Sequence, residues 1–210
     1  MNKNNIWDIT PLVTGSFPLW PRSEPLQRSV ACDIALGDPV TSSNITATVH
    51  LGAHADAPSH YAKDGRTIDE CPLHYYLGPC QVIHAKVKHG QAITKETVKQ
   101  QILAPRVLFA TSTFDYTQPF TEDFAAFDPD FFEYMAQNKV ITVGIDGPSV
   151  DLYKAQTFPC HQLAYKYDIA LLENLNLDKV PEGVYELIAL PLKIKGFDAS
   201  PVRAILRSIE

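Results

Sequence analysis

The most informative stretch of the chain lies between residues 50 and 60 and reads His50-Leu-Gly-Ala-His54-Ala-Asp56-Ala-Pro-Ser-His60. Three of the seven histidines in this chain of 210 residues fall within that stretch. Imidazole and carboxylate groups are ligands for zinc, manganese or iron, and the stretch has no cysteine for a closed structural zinc site. A polar loop whose histidines bond to the backbone is the alternative. The clustering of so many ligand groups favours a metal site.

The residues around this stretch indicate a strand followed by a loop. Residues 45–49 are rich in β-branched side chains and are predicted to form a strand. Gly52 and Pro58 interrupt helical hydrogen bonding, so the histidines are not predicted to lie along one helix. We therefore expect four side chains to converge on one pocket: His50, His54, Asp56 and His60.

Composition indicates an ordinary globular protein with a small-molecule partner. The chain is 45% hydrophobic and 20% charged, without linkers or repeats, so we expect a single domain over residues 1–210. A net charge of −6 and the lack of a basic run argue against nucleic acid. No apolar run is long enough for a signal peptide or a membrane span. The four cysteines form no CxxC pair, which favours reduced thiols and a cytoplasmic location.

The hydrophobic pattern predicts many short strands and few helices. Sixteen prolines accompany weak helical periodicity. Further strands are predicted at residues 80–87, 106–111, 140–144, 169–172, 183–190 and 202–208. Helices are predicted at 94–102 and 128–138 and for a turn or two after His161, with Glu173-Asn-Leu-Asn as another helix start. This mixture predicts an α+β fold, with a mixed or closed sheet flanked by helices.

The HxGxHxDxPxH pattern of residues 50–60 resembles the signature of the cyclase family of metal-dependent hydrolases. The resemblance extends over nearly the whole chain and follows the family's order. The segments that carry it are Ile6-Trp-Asp-Ile-Thr-Pro11-Leu, Phe17-Pro-Leu-Trp20-Pro-Arg-Ser-Glu-Pro25, Val143-Gly-Ile-Asp146-Gly-Pro-Ser149-Val-Asp151, Cys160-His161-Gln-Leu, Leu171-Leu-Glu173-Asn174-Leu, Leu190-Pro-Leu-Lys193 and Ser200-Pro-Val-Arg203.

The resemblance implies a fold and an activity. The family's fold is a mixed β-barrel-like sheet with helices outside, of the swivelling β/β/α type. Residues 52–58 are similar to the formamidase branch, whose members cleave N-formyl-L-kynurenine to L-kynurenine and formate in tryptophan breakdown. Ala53 stands where many other members carry threonine. Hydrolysis of a cyclic amide such as isatin is an alternative, and a metal-binding protein without catalysis is another.

The resemblance also implies a site with two divalent metal ions, zinc by preference and manganese as the alternative. His50, His54 and Asp56 would hold the first ion and His161 the second, with Asp56 and Glu173 bridging the pair. Taken by themselves, His161 could be an ordinary histidine near a helix start, and Glu173 a carboxylate at a helix N-terminus.

Two further residues receive roles from the resemblance. His60 matches the family's proton donor and acceptor, although an imidazole there could also be a metal ligand. Trp20 matches a substrate-contacting tryptophan, although a core tryptophan is the alternative. The expected partner is a small aryl formamide, and the family suggests a homodimer.

Overall fold

A mixed sheet of nine strands forms the centre of the fold in the computed structural model, which describes residues 6–209. Within that part of the chain the strands are β1 (Ile6–Asp8), β2 (Gln27–Cys32), β3 (Ser42–Thr46), β4 (His54–Asp56), β5 (Leu77–His84), β6 (Ala92–Ile93), β7 (Arg106–Ala110), β8 (Ala126–Phe127), β9 (Thr142–Ile145), β10 (Ala170–Glu173), β11 (Gly183–Ile188), β12 (Ala199–Pro201) and β13 (Ile205–Ser208). The helices are α1 (Pro129–Gln137) and α2 (Pro159–Tyr167), and short 3₁₀ turns include Pro58–His60.

The sheet runs in the order β1-β13-β11-β5-β7-β9-β10-β4-β12 and curls into a half-barrel. Its middle strands β5, β7, β9 and β10 are parallel, whereas β4 and β12 are antiparallel to their neighbours. All five residues of β7 are buried, as expected for a parallel strand that is covered on both faces.

Alternate side chains of the middle strands supply two hydrophobic cores. Leu108 and Leu172 belong to one core, while Phe109 and Leu171 belong to the other, which also contains residues of α1 and α2. This division follows from the period of two along a strand. The α+β class predicted from the sequence is confirmed, and the half-barrel agrees with the mixed β-barrel-like sheet that the resemblance implies.

Most of the predicted elements are present with shifted ends. The helix predicted at 128–138 is α1; Asp128 is its N-cap, with Oδ1 accepting a hydrogen bond from the Asp130 amide at 3.0 Å. The helix predicted after His161 is α2, which begins earlier, at Pro159. The six strands predicted between residues 80 and 208 correspond to β5, β7, β9, β10, β11 and β13.

The helix predicted at residues 94–102 is wrong, because this segment forms only a turn. The Thr97 hydroxyl donates to the Thr94 carbonyl at 2.9 Å and accepts from the Thr94 amide at 2.8 Å. Such local bonds between threonine side chains and the backbone compete with helix formation. The β-branched residues also lower the helical propensity of the segment.

Two predictions near the site need correction. The strand expected at 45–49 ends at Thr46 and belongs to an exposed β2–β3 hairpin, and the strand that carries the site is β4. The helix start proposed at Glu173 is also wrong. Glu173 is the last residue of β10, and Asn174 turns the chain away with a left-handed φ of 55°.

The cysteines and the helices agree with the fold described above. All four cysteines are free; Cys71, Cys80 and Cys160 are buried, and Cys32 is partly exposed. Among residues 6–209, neither helix has the length and apolar character required to cross a membrane.

Candidate metal centre

Strand β4 brings the first ligand candidates into the sheet. It lies between β10 and β12, and its register places His54 opposite Glu173. His54 and Asp56 are two residues apart, so both side chains project from the same face of the strand, while Ala55 projects from the other. Both site residues are almost fully buried, as is Glu173.

Gly52 sets the direction of the His54 ring. Gly52 has a left-handed φ of 59°, and a Cβ at this position would lie 2.5 Å from Val13 Cγ2. The Gly52 carbonyl accepts a hydrogen bond from His54 Nδ1 at 2.9 Å. That bond fixes the proton on Nδ1 and leaves Nε2 free to bind a metal ion.

The two buried carboxylates, Asp56 and Glu173, each lie between histidines on two sides. Asp56 Oδ1 lies 3.0 Å from His50 Nδ1 and 3.4 Å from His54 Nε2, whereas Asp56 Oδ2 lies 3.6 Å from His161 Nε2. Glu173 repeats this arrangement, with Oε2 3.4 Å from His54 Nε2 and Oε1 3.6 Å from His161 Nε2. Each carboxylate therefore has one oxygen on each side, as bridging ligands of two cations do.

Within residues 6–209, three of these buried atoms make no hydrogen bond of good geometry, although charged groups lie close to them. They are His54 Nε2 and both carboxylate oxygens of Asp56. Buried polar atoms are almost always paired, so each unpaired atom needs an explanation. In the part of the chain that the structure describes, three overlapping groups of side chains offer ligand atoms within 4.8 Å of one another: His50–His54–Asp56, Asp56–His60–His161 and His50–His60–Asp198. Convergence of unpaired imidazole and carboxylate atoms fits divalent transition-metal ions.

His161 reaches the site from the first turn of α2. Asp151 holds its ring through a hydrogen bond from His161 Nδ1 to Asp151 Oδ2 at 2.7 Å. Asp151 also accepts the amides of Cys160 and His161 at 2.9 and 3.1 Å. One carboxylate thus caps the helix and aims His161 Nε2 at the bridging carboxylates.

His50 and His60 share a carboxylate that the sequence did not reveal. Asp198 Oδ2 lies 3.1 Å from His50 Nε2 and 3.3 Å from His60 Nδ1. The backbone fixes Asp198 beside β4, because its carbonyl accepts the Ala57 amide at 2.8 Å. With Nδ1 occupied, His60 has Nε2 available for the cavity.

The carboxylates favour the charged forms of the surrounding imidazoles. Burial disfavours a charged ring, but Asp56 and Asp198 outweigh it and raise the pKa of His50 to about 9. In the same way Asp56 and Glu173 raise the pKa of His54 to about 10, and Asp151 with Asp56 raises the pKa of His161 to about 10. Burial opposes ionisation of Asp56 as well, yet His50 and His161 hold its pKa well below the usual range. Cation binding at these residues would displace protons.

A cavity of about 430 Å³ opens beside these side chains. Its lining contains six of the seven residues singled out from the sequence: Trp20, His50, His54, His60, His161 and Glu173. Asp56 contacts three of the lining histidines. The structure therefore brings all seven residues together.

Trp20 combines both interpretations that the sequence left open. It is half-buried and packs against the rings of Phe120, Phe124 and Tyr153, with centroids 5.0 to 6.1 Å away. It also lines the cavity. The tryptophan is thus supported by an aromatic cluster and open to a ligand.

Sequence reasoning missed three polar residues of the site. Asp151 and Asp198 orient histidines, and Asn174 lines the cavity with a buried Oδ1 that has no hydrogen-bond partner among the described residues. Asp151 and Asn174 stand in the motifs given above, but no local signal distinguished them from structural residues. Asp198 comes 138 residues after His60, so its approach depends on the pairing of β12 with β4.

Similar sequences agree on the kind of protein. The sequence model of the putative cyclase family matches residues 7–152. Kynurenine formamidases from Bordetella petrii and Bordetella pertussis are each 42% identical to the chain over 206 residues, which cover 97% of the chain and 98% of each relative.

Solved structures share the fold over nearly the whole length. A structure described as a potential metal-dependent hydrolase with cyclase activity has a TM-score of 0.85 and 29% identity, covering 99% of this chain and 100% of that one. A predicted metal-dependent hydrolase from Bacillus stearothermophilus has a TM-score of 0.84 and 29% identity over the same shares. Isatin hydrolase A from Ralstonia solanacearum also has a TM-score of 0.84, but at 23% identity, over 98% of this chain and 92% of that one. The chain belongs to the cyclase family of metal-dependent hydrolases.

Proposed function

We propose that this protein is a kynurenine formamidase, which hydrolyses N-formyl-L-kynurenine to L-kynurenine and formate in tryptophan breakdown. The observation that carries the proposal is the arrangement of Asp56 and Glu173, each with one oxygen toward His54 and the other toward His161. The formamidases at 42% identity support this substrate.

We assign the ligands of two divalent ions, zinc by preference, from this arrangement. His50, His54 and Asp56 would hold one ion, His161 the other, and Asp56 and Glu173 would bridge them. When bound, such ions polarise an amide carbonyl and bring the pKa of water towards neutrality. The protein contributes ligands whose direction is fixed by the Gly52 carbonyl and the Asp151 carboxylate.

His60 is assigned to proton transfer and not to metal binding. Its side chain is 39% exposed, whereas those of His54 and His161 are 2% and 5% exposed. Asp198 holds Nδ1, so Nε2 can accept a proton from water and deliver it to the nitrogen of the leaving arylamine. An amine leaves far more readily when protonated, which makes this transfer necessary for amide cleavage.

The cavity has the character expected for an aryl formamide. Trp20 offers an aromatic face, and Asn174 Oδ1 is a buried acceptor to which no group in the described part of the chain donates. The volume of about 430 Å³ lies at the small end of ligand pockets. A formyl group is the smallest acyl group, so a confined carbonyl site would admit it and exclude larger acyl groups.

The metal content gives a direct test. We expect about two divalent ions per chain after dialysis, because Asp56 and Glu173 each have one oxygen for each of two ions. Chelation should abolish hydrolysis, and added zinc or manganese should restore it. Elemental analysis by mass spectrometry measures the ions, and His89→Ala, at an exposed histidine outside the cavity, is the control. Less than about half an ion per chain, with activity unaffected by chelator, would remove the basis of the mechanism.

Substrate choice and Trp20 are tested together. We expect N-formylkynurenine and N-formylanilines to be cleaved far faster than their N-acetyl counterparts. Trp20→Ala should raise KM for aryl formamides, by an amount that corresponds to about 1–2 kcal/mol of lost binding free energy. Metal content should stay unchanged. Trp20→Phe, which retains an aromatic face, is the matched control. Faster turnover of isatin than of N-formylkynurenine would transfer the protein to the cyclic-amide hydrolases, and no turnover of either would support a non-catalytic metal protein.

We also propose that residues 1–210 form a single domain, which the pairing of β1 with β13 supports because it joins the two ends of the described chain. The homodimer implied by the resemblance and the cytoplasmic location inferred from the cysteine pattern stay predictions.

A further inference from the structure

Phe158 combines several unfavourable local features at the edge of the cavity. It is the N-cap of α2 and has φ 47° and ψ 59°, in the left-handed region. Bulky side chains rarely adopt this conformation, whereas glycine and asparagine do so readily. A residue before proline is also normally extended, and Pro159 follows directly.

Capping of α2 does not explain why residue 158 is a phenylalanine. Phenylalanine has no group that can accept a capping hydrogen bond, and Asp151 accepts hydrogen bonds from the amides of Cys160 and His161 instead. The position therefore needs no particular side chain for capping, and its backbone favours asparagine or glycine. A phenylalanine here lowers the local stability of the chain.

The Phe158 ring is also not a core side chain. It is 39% exposed and lines the cavity that contains Trp20 and His60. Its single aromatic neighbour among the described residues is His161, whose ring lies edge-on at a centroid distance of 5.7 Å. Strained residues of this kind cluster at ligand sites, where the surrounding structure holds them in place.

We propose that Phe158 is a specificity-determining residue whose ring contacts the aryl ring of the substrate. The proposal rests on the assigned formamidase function and adds a second aromatic contact, from α2, to that of Trp20. The left-handed backbone at residue 158 keeps the ring at the cavity instead of in the core. The unfavourable backbone at residue 158 lowers local stability, and the ring that it places at the cavity favours substrates with aromatic over aliphatic amines.

The experiment compares kcat/KM for formanilide and N-butylformamide, together with the thermal unfolding midpoint, in the metal-loaded protein. Phe158→Leu preserves apolar bulk beside His161 and should lower the aryl-to-alkyl ratio by about three- to tenfold. Phe158→Asn should lower the ratio at least as far and unfold at or above the wild-type temperature, because asparagine suits the left-handed backbone. Metal content should stay at the wild-type level in both.

Lys139→Asn is the matched control, since Lys139 is exposed, has φ 62° and lies outside the cavity. It should unfold at or above the wild-type temperature with an unchanged ratio. The proposal is overturned if both Phe158 variants retain the wild-type ratio, or if Phe158→Asn unfolds several degrees lower with that ratio intact.

Failure of the formamidase assignment would be visible separately, as wild-type protein that cleaves neither formamide. The contact with an aryl ring would then be decided by calorimetric binding of kynurenine. Binding that weakens about three- to tenfold in Phe158→Leu supports it. Equal binding by both proteins, or no binding by the wild type, overturns it.

Discussion

Asp56→Ala is expected to release the metal ions and reduce hydrolysis to the level of the background reaction. Asp56 supplies an oxygen to each side of the site and lies next to three histidines. Its removal would leave those imidazoles, whose pKa values it raises, without their shared counter-charge. Metal content, measured after dialysis, should fall below about one-tenth of the wild-type value.

Two conservative variants test whether each carboxylate bridges two ions or only supplies negative charge. Asp56→Asn and Glu173→Gln preserve shape but each retains only one acceptor oxygen, so each should lose at least one ion. Circular dichroism should show a folded protein for the conservative pair. Full retention of both ions by Asp56→Asn would contradict the bridging role.

His60→Ala is expected to lower kcat by about two to four orders of magnitude while metal content stays near the wild-type level. The expectation follows from the exposure of His60 to the cavity and from the hold of Asp198 on its Nδ1. KM should change little, because proton transfer contributes in the transition state more than in substrate binding. Steady-state kinetics and elemental analysis on the same preparation measure both quantities.

Asp198→Asn provides a companion, since it preserves the contact geometry but removes the charge beside His60 and His50. Its kcat should fall less than that of His60→Ala, as expected for a residue that acts through another. His89→Ala should match the wild type. Loss of metal by His60→Ala as complete as that of Asp56→Ala would make His60 a ligand.

The sequence located most of the site because His50, His54, Asp56 and His60 are close along the chain. Their clustering survives any uncertainty about secondary structure, and so they could be identified although the strand beside them was misplaced. The His54-Ala-Asp56 alternation itself indicates a strand, but with only three residues it was too short to outweigh the β-branched run at 45–49.

Residues that support the ligands could not be found in this way. Asp198 reaches His60 only through pairing of β12 with β4, and the value of Asp151 depends on where α2 begins. Phe158 was missed for the opposite reason, since its backbone conformation contradicts what its sequence neighbours favour. Such long-range or strained features are set by the assembled sheet and not by local propensity.

The three-residue strand β4 makes the length of the segment around it more critical than its composition. One residue inserted or deleted ahead of His54 would shift its pairing with β10 and β12 by one position. Ala55 would then face the cavity, and His54 and Asp56 would face the opposite core. The exposed β2–β3 hairpin has no such constraint. A single inserted residue should therefore leave activity intact when it lies in the hairpin. The same insertion just before β4 should abolish activity, even when the inserted residue is only an alanine.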